Sequence, residues 1–435
     1  MPKIKKDNAR GVTATSSKNK KARPETCEDF IDLASDLEES GDRWVQQPDK
    51  SHRFYLQAAE AYDTAVNLDS ANADAAYNAA RLPLVMAQNC ALLATQQIEL
   101  LERAADAHRS FLSRWTNHVD AKFNLATVLL LSIELVTTHE VLVAMRNDDV
   151  IEKNLLQAME LLESCREVQT AELAKMAEDD ETAPANAPDA AMDETEEAQD
   201  VNYITPDILL DTLIAMADAY SNMLDASIAV QHLETTRQYI LTQVGPQAEA
   251  ILPRCADPNE AASRWQDVQR SVQLSELSCA HEHGSLSLMD WKSSLEEIIA
   301  NGPATLEAAC SYSDACIDLA KAMQAEVTDE ATLQEVWKVY TAGAAAQLSA
   351  AVQLATAAQS RRPDVWVSRA DIELLRSNIG SKTSLKNQQV LRTNAKVYYK
   401  RAVAECLPKH IRTQREAALK LAVVSAELGD VADHL

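Results

Sequence analysis

The sequence predicts an all-α protein built from antiparallel helix pairs, and three observations carry that expectation. Ala, Leu, Glu and Gln dominate, and the strict alternation of a half-buried strand is missing. Glycine is scarce, with eight in 435 residues, where about 7% is usual and β-rich folds use it in turns and bulges. Short blocks also recur: NADAAYNAA at 72–80 returns as HVDAKFNLA at 118–126.

The elements follow in order. Residues 1–26 are polar and basic, with Lys5, Lys6, Lys18, Lys20, Lys21 and Arg23 among eight cations opposed by Asp7 and Glu25. Such a segment buries too little apolar surface to fold, so it reads as a disordered tail. Its two basic clusters resemble a bipartite nuclear import signal, which is an exposed set of point charges for the acidic grooves of an import receptor. Phe30, Leu33, Ala34 and Leu37 then share one face at helical spacing, and Ala58, Tyr62, Ala65 and Leu68 repeat that logic. Residues 44–55 read as an insertion between these two helices. Residues 27–175 form a first helical half, and 176–202 an acidic linker, since 176–200 hold ten acids, no base and two prolines. Residues 203–435 form a second half. Within it, Leu213, Met216, Ala217 and Tyr220 mark one helix, and Leu288, Trp291, Leu295 and Ile298 mark another that Gly302-Pro303 closes. A further helix opens at 363–366 with Pro-Asp-Val-Trp. Ala395, Tyr399 and Ala402 then reproduce the spacing of Ala58, Tyr62 and Ala65.

Small residues at fixed places, with an aromatic filling the gap between successive pairs, resemble the tetratricopeptide repeat over about residues 28–130 and 205–435. The resemblance implies an α-solenoid of antiparallel helix pairs whose first helices line a concave surface, a fold that holds peptides or partner domains. On that reading the groove-lining positions are Asp74, Tyr77, Asp120, Phe123, Asp364, Val367 and Asp371. Members that hold the C-terminal carboxylate of large chaperones use Lys, Asn and Arg on the first helices. Asn78 and Asn124 match, but Tyr77 and Phe123 stand where the lysine belongs, and the next turn offers Arg81 or Thr127, so that clamp is incomplete.

Composition narrows the chemistry. A phosphate loop or dinucleotide fingerprint needs clustered glycines, and here no two lie closer than eighteen residues. The cluster Cys279, His281, Glu282 and His283, with Cys255 upstream, lacks the paired spacing of a structural zinc site. No nucleophile elbow or HExxH occurs, so the expectation is a non-enzymatic protein without cofactor or metal. Eight scattered cysteines without CxxC spacing read as reduced thiols. The most apolar stretch, 125–136, is shorter than a bilayer span and no secretory apolar region opens the chain, so a soluble protein of nucleus and cytoplasm is expected. The formal charge is −25; residues 1–23 carry +7 and the remainder −32. An acidic body repels nucleic acid and anionic membranes and attracts basic protein segments. Acidic repeats joined to an import-like tail resemble the dedicated chaperones that escort a newly made, highly basic ribosomal protein to the nucleus during ribosome assembly. The alternative expectation is a repeat scaffold or adaptor subunit of a nuclear regulatory complex.

Overall fold

The structure, a computed structural model, describes residues 23–428 apart from 91, 139–141, 143–145, 183–203, 227–229, 301, 304, 327–328 and 408–409; every regular element among the described residues is helical. The described chain runs α1 (Cys27–Arg43), α2 (Pro48–Leu68), α3 (Ala73–Asn89), α4 (Ala94–Leu112), α5 (Val119–Thr138) and α6 (Asp148–Thr182). It continues with α7 (Pro206–Asp225), α8 (Val230–Tyr239), α9 (Gly245–Ile251), α10 (Pro258–Glu282), α11 (Leu288–Ile299) and α12 (Leu306–Glu326). The last elements are α13 (Glu330–Lys338), α14 (Ala345–Ala357), α15 (Pro363–Ser377), α16 (Lys382–Glu405) and α17 (Ile411–Glu427). Wide π turns, Ile240–Val244 and Val339–Ala344, make α8–α9 and α13–α14 continuous rods. First and second helices therefore alternate, with α1, α3, α5, α7, α10, α12 and α15 as first helices and α17 closing the series.

Local chemistry sets the ends. Thr26 caps α1 through a reciprocal box with Asp29. Thr205, Asp257, Ser287, Asp329 and Ser381 each accept backbone N–H groups at later helix starts. Gly302, at φ 70°, ends the connection after α11 as the sequence implies.

Pairs are held by alanine set against tyrosine. Ala34, Ala58, Ala65 and Tyr55 are fully buried between α1 and α2, and Ala370, Ala395, Tyr399 and Ala402 repeat the arrangement between α15 and α16. A buried aromatic removes roughly 150–250 Å² from water, an upper bound of about 4–6 kcal/mol at 25 cal/mol/Å². Each phenol also finds an acceptor on the neighbouring first helix. Tyr62 donates to Glu38 at 3.1 Å and Tyr399 donates to Asp371. Close approach is tightest at Gly343 in the second π turn, where a Cβ would lie 2.7 Å from Cys316 Sγ. The eight cysteines are free and six are buried, Cys316 included.

Three expectations need correction. Residues 48–55 are not an insertion: Pro48 starts α2 and the helix runs unbroken into Leu68. The acidic linker does not begin at 176, because α6 extends to Thr182; residues 183–203 lie outside the described residues. Nor does the linker part the first helical half from the second. α6 packs on α7, and one cluster of buried apolar residues runs from Ala34 to Cys279. No described helix is long and apolar enough to cross a membrane.

The array also bends back on itself. Arg412, at the start of α17, donates from Nε to the Leu92 carbonyl at 2.6 Å and from its other nitrogen to the Gln97 amide oxygen. The last helix therefore touches the connection between α3 and α4.

Candidate peptide-binding face

The residues expected from sequence all fall on first helices, but they do not form one surface. Asp74 and Tyr77 lie on α3, and Asp120 and Phe123 on α5; both aspartates are exposed. Tyr77 accepts from Asn124 Nδ2 at 3.0 Å and stacks on His118, with ring centroids 4.7 Å apart. Its hydroxyl is pushed up from its ordinary value by burial and by the field of Asp120. Phe123 is half-buried against the core. Arg81 is held by the buried Glu38 and reaches Asn78, so the incomplete clamp is engaged within the chain.

The C-terminal positions are corrected. Val367 is 5% exposed and packs with Trp366, Ala370, Ala395 and Tyr399, so it belongs to the core. Asp371 accepts from Tyr399 and from Lys420 Nζ at 2.8 Å. Asp364 is exposed but paired with Arg362 at 2.8 Å. The physical reason is local charge: residues 361–420 hold 14 Lys and Arg against five Asp and Glu, a net of +9 within an otherwise acidic body. Carboxylates there are neutralised at home. Lys5, Lys6, Lys18, Lys20 and Lys21 lie outside the described residues, while Arg23 is exposed ahead of α1.

The strongest acidic row lies between these places, on the middle first helices. It comprises Glu134 of α5, Asp218 and Asp225 of α7, Glu282 at the end of α10, and Asp314 and Asp318 of α12. Burial, reinforced by Glu134, raises the Asp218 carboxyl to about 6. Burial and Asp318 raise Asp314 to about 6, against a smaller opposing pull from Lys321. Asp225 also rises, first through burial and then, against Ser275, through Asp318 and Glu282; Asp318 rises through burial and, more weakly, Glu282, against the pull of Lys321. Asp218 is half-buried and the other five acids are exposed, and their fields overlap between neighbouring helices, which describes a negatively charged face. The signal was present in the letters: Asp218 and Asp225 are seven apart, and Asp314 and Asp318 four apart, each pair on one helical face.

The motif at 279–283 closes the end of α10. Cys279 Sγ lies 3.5 Å from His283 Nδ1, and His281 Nδ1 lies 3.0 Å from the Leu286 carbonyl. Among the described residues, no group of three His, Cys, Asp or Glu is placed to hold a metal ion.

The wall gives a pH prediction. A cation held there interacts with ionised carboxylates, so affinity is full above about pH 7 and falls as pH drops through the values near 6 at Asp218 and Asp314. Capture of a basic peptide is expected to weaken about tenfold between pH 7.5 and 5, on the order of one pH unit of linkage. Isothermal titration should show that step in the parent chain and a flat profile in Asp218→Asn/Asp314→Asn. Melting is the poorer readout because its terms oppose. Acidification stabilises through these two raised carboxyls. It destabilises through His108, which burial and neighbouring cations hold neutral with its pKa lowered to about 4.

The fold defines the class, a helical-repeat protein. No protein-family model matches the chain. It is similar to the UPF0656 protein C926.02 of Schizosaccharomyces pombe, 27% identical over 423 residues that cover 93% of this chain and 90% of that protein. Among solved structures it is similar to the Schizosaccharomyces pombe nuclear import adaptor Nro1 in two crystal forms. These show 13% identity and TM-scores of 0.31 and 0.29, and cover 90% and 91% of this chain and 99% and 98% of Nro1. Yeast Tom70 shows 10% identity and a TM-score of 0.18, over 92% of this chain and 97% of that one.

Proposed function

We propose that this chain is a non-enzymatic binding protein that holds a basic segment of a protein client along its acidic inner face. The observation that carries the reading is the row from Glu134 through Asp218 and Asp225 to Asp314 and Asp318. Burial and neighbouring carboxylates raise four of these carboxyls, and a cationic partner offsets the repulsion from those neighbours. A segment rich in Lys and Arg gains most from such a wall, and the wall in turn screens it from RNA and from other chains. A newly made ribosomal protein has that chemistry, so the chain is read as a dedicated escort in ribosome assembly. Capture of a purified basic ribosomal protein, compared at about 50 mM and 500 mM salt, tests this. Electrostatic capture weakens strongly as the Debye length shrinks. Capture indifferent to salt, together with stable co-purification of several neutral partners, would replace it with the scaffold reading.

The basic tail supplies the nuclear part of the proposal. Changing Lys5, Lys6, Lys18, Lys20 and Lys21 to Ala is expected to leave a fluorescently tagged chain in the cytoplasm. Undiminished nuclear accumulation would take import away from the tail.

A further inference from the structure

A cavity of about 370 Å³ opens in the acidic wall between α7, α10, α11 and α12. This is the small end of the range of ligand pockets, roughly 300–1,000 Å³, and suits one long side chain with its main chain. Asp225, Glu282 and Asp318 line it, with Lys321 at 3.4 Å from Asp318 and more than half exposed. Trp291 forms another part of the lining. It is 3% exposed, its indole N–H has no acceptor, and its ring lies 5.1 Å from that of His281. His281 itself is occupied by the Leu286 carbonyl and lies 3.7 Å from Glu326.

These two features ask for different things. The carboxylates call for a cation, and the buried indole N–H calls for an acceptor. Neither lysine nor arginine side chains accept hydrogen bonds, and a simple polyamine does not either. A peptide brings both, with a cationic side chain and a main-chain carbonyl beside it. A planar guanidinium matches carboxylates spread over several helices better than a compact ammonium does. Elsewhere in the chain guanidinium groups already sit beside tryptophan and a carboxylate together, Arg376 with Trp337 and Glu373, and Arg401 with Trp366 and Glu405.

We propose that this cavity is an anchor pocket for one arginine of the client, with Asp225, Glu282 and Asp318 around its guanidinium and Trp291 donating to a neighbouring main-chain carbonyl. The pocket rests on the binding function proposed above and adds a fixed point to it. Lys321, on a flexible stem at the rim, moves aside when the arginine enters and keeps the empty pocket from carrying its full charge.

The test uses the full chain labelled with 5-fluorotryptophan, the Trp291 resonance being identified by its loss in Trp291→Phe. Nona-arginine is titrated at low salt and spermidine serves as the second probe. Nona-arginine is expected to shift the Trp291 resonance, and spermidine to leave it in place. Asp225→Asn/Asp318→Asn is expected to weaken nona-arginine about tenfold, and Trp291→Phe to weaken it less while helicity stays at the parent level. If nona-arginine binds the parent and the Asp225→Asn/Asp318→Asn chain equally and the Trp291 resonance does not move, the anchor is wrong while the acidic face stands. If the parent does not bind nona-arginine at all, the acidic-face function itself fails and the pocket with it.

Discussion

Glu373→Gln is expected to destabilise the chain by about 3–5 kcal/mol, the usual cost of removing one partner from a buried ionic cluster. Glu373 is 1% exposed on α15, and its carboxylate accepts from Arg369 at 2.6 Å and Arg376 at 3.1 Å. Both guanidinium groups are largely out of water, and burial lowers Arg376 from its ordinary value despite the carboxylate. Glutamine keeps the volume, so no cavity confuses the result; what is lost is the countercharge, leaving two desolvated cations side by side. Urea unfolding followed by circular dichroism measures the loss. Glu39→Gln breaks the exposed pair with Arg43 and should cost only ~0–1 kcal/mol, because water replaces the partner. A parent-like midpoint for Glu373→Gln would mean that the triad is not maintained in solution.

The second large effect concerns capture. Reversing Asp218 and Asp314 to Lys turns the middle of the acidic wall from attractive to repulsive. Loss of basic-peptide affinity on the order of 100-fold is expected at low salt, about tenfold for each reversal. Asp364→Lys is the comparison. Its carboxylate already faces Arg362, in the basic stretch 361–420, so its reversal should change capture several-fold less. Surface plasmon resonance with an arginine-rich peptide separates the two cases. Equal losses from both would mean that net charge alone, rather than the wall, draws the client.

Much of the architecture was legible because small and aromatic positions obey a strict spacing. Ala65 and Ala402 can be read as contact points between helices from letters alone, and both are fully buried. The acidic face was less legible. Asp74 and Asp120 were found by their place in a repeated block, whereas Asp218, Asp225, Asp314 and Asp318 belong to no such recurring block. Their spacing on single helices was visible, but their importance arises from fields crossing between helices, which no single-helix pattern records. Val367 was misplaced for a simpler reason. One position along a helix turns a side chain by about 100°, enough to move it from groove to core. Asp371 was misjudged because its partners, Tyr399 and Lys420, come from two later helices.

The return of Arg412 to the connection after α3 carries a topological consequence. Its acceptors, a carbonyl and an amide, lie 320 and 315 residues away in sequence. Closing so long a loop adds little entropy beyond a shorter one, ~0.6 kcal/mol for each doubling, so two hydrogen bonds can hold the circuit shut. During synthesis, however, that circuit stays open until α17 has left the ribosome. The two ends of the array therefore cannot support one another until synthesis is nearly complete, and the Arg412 contacts are among the last to form.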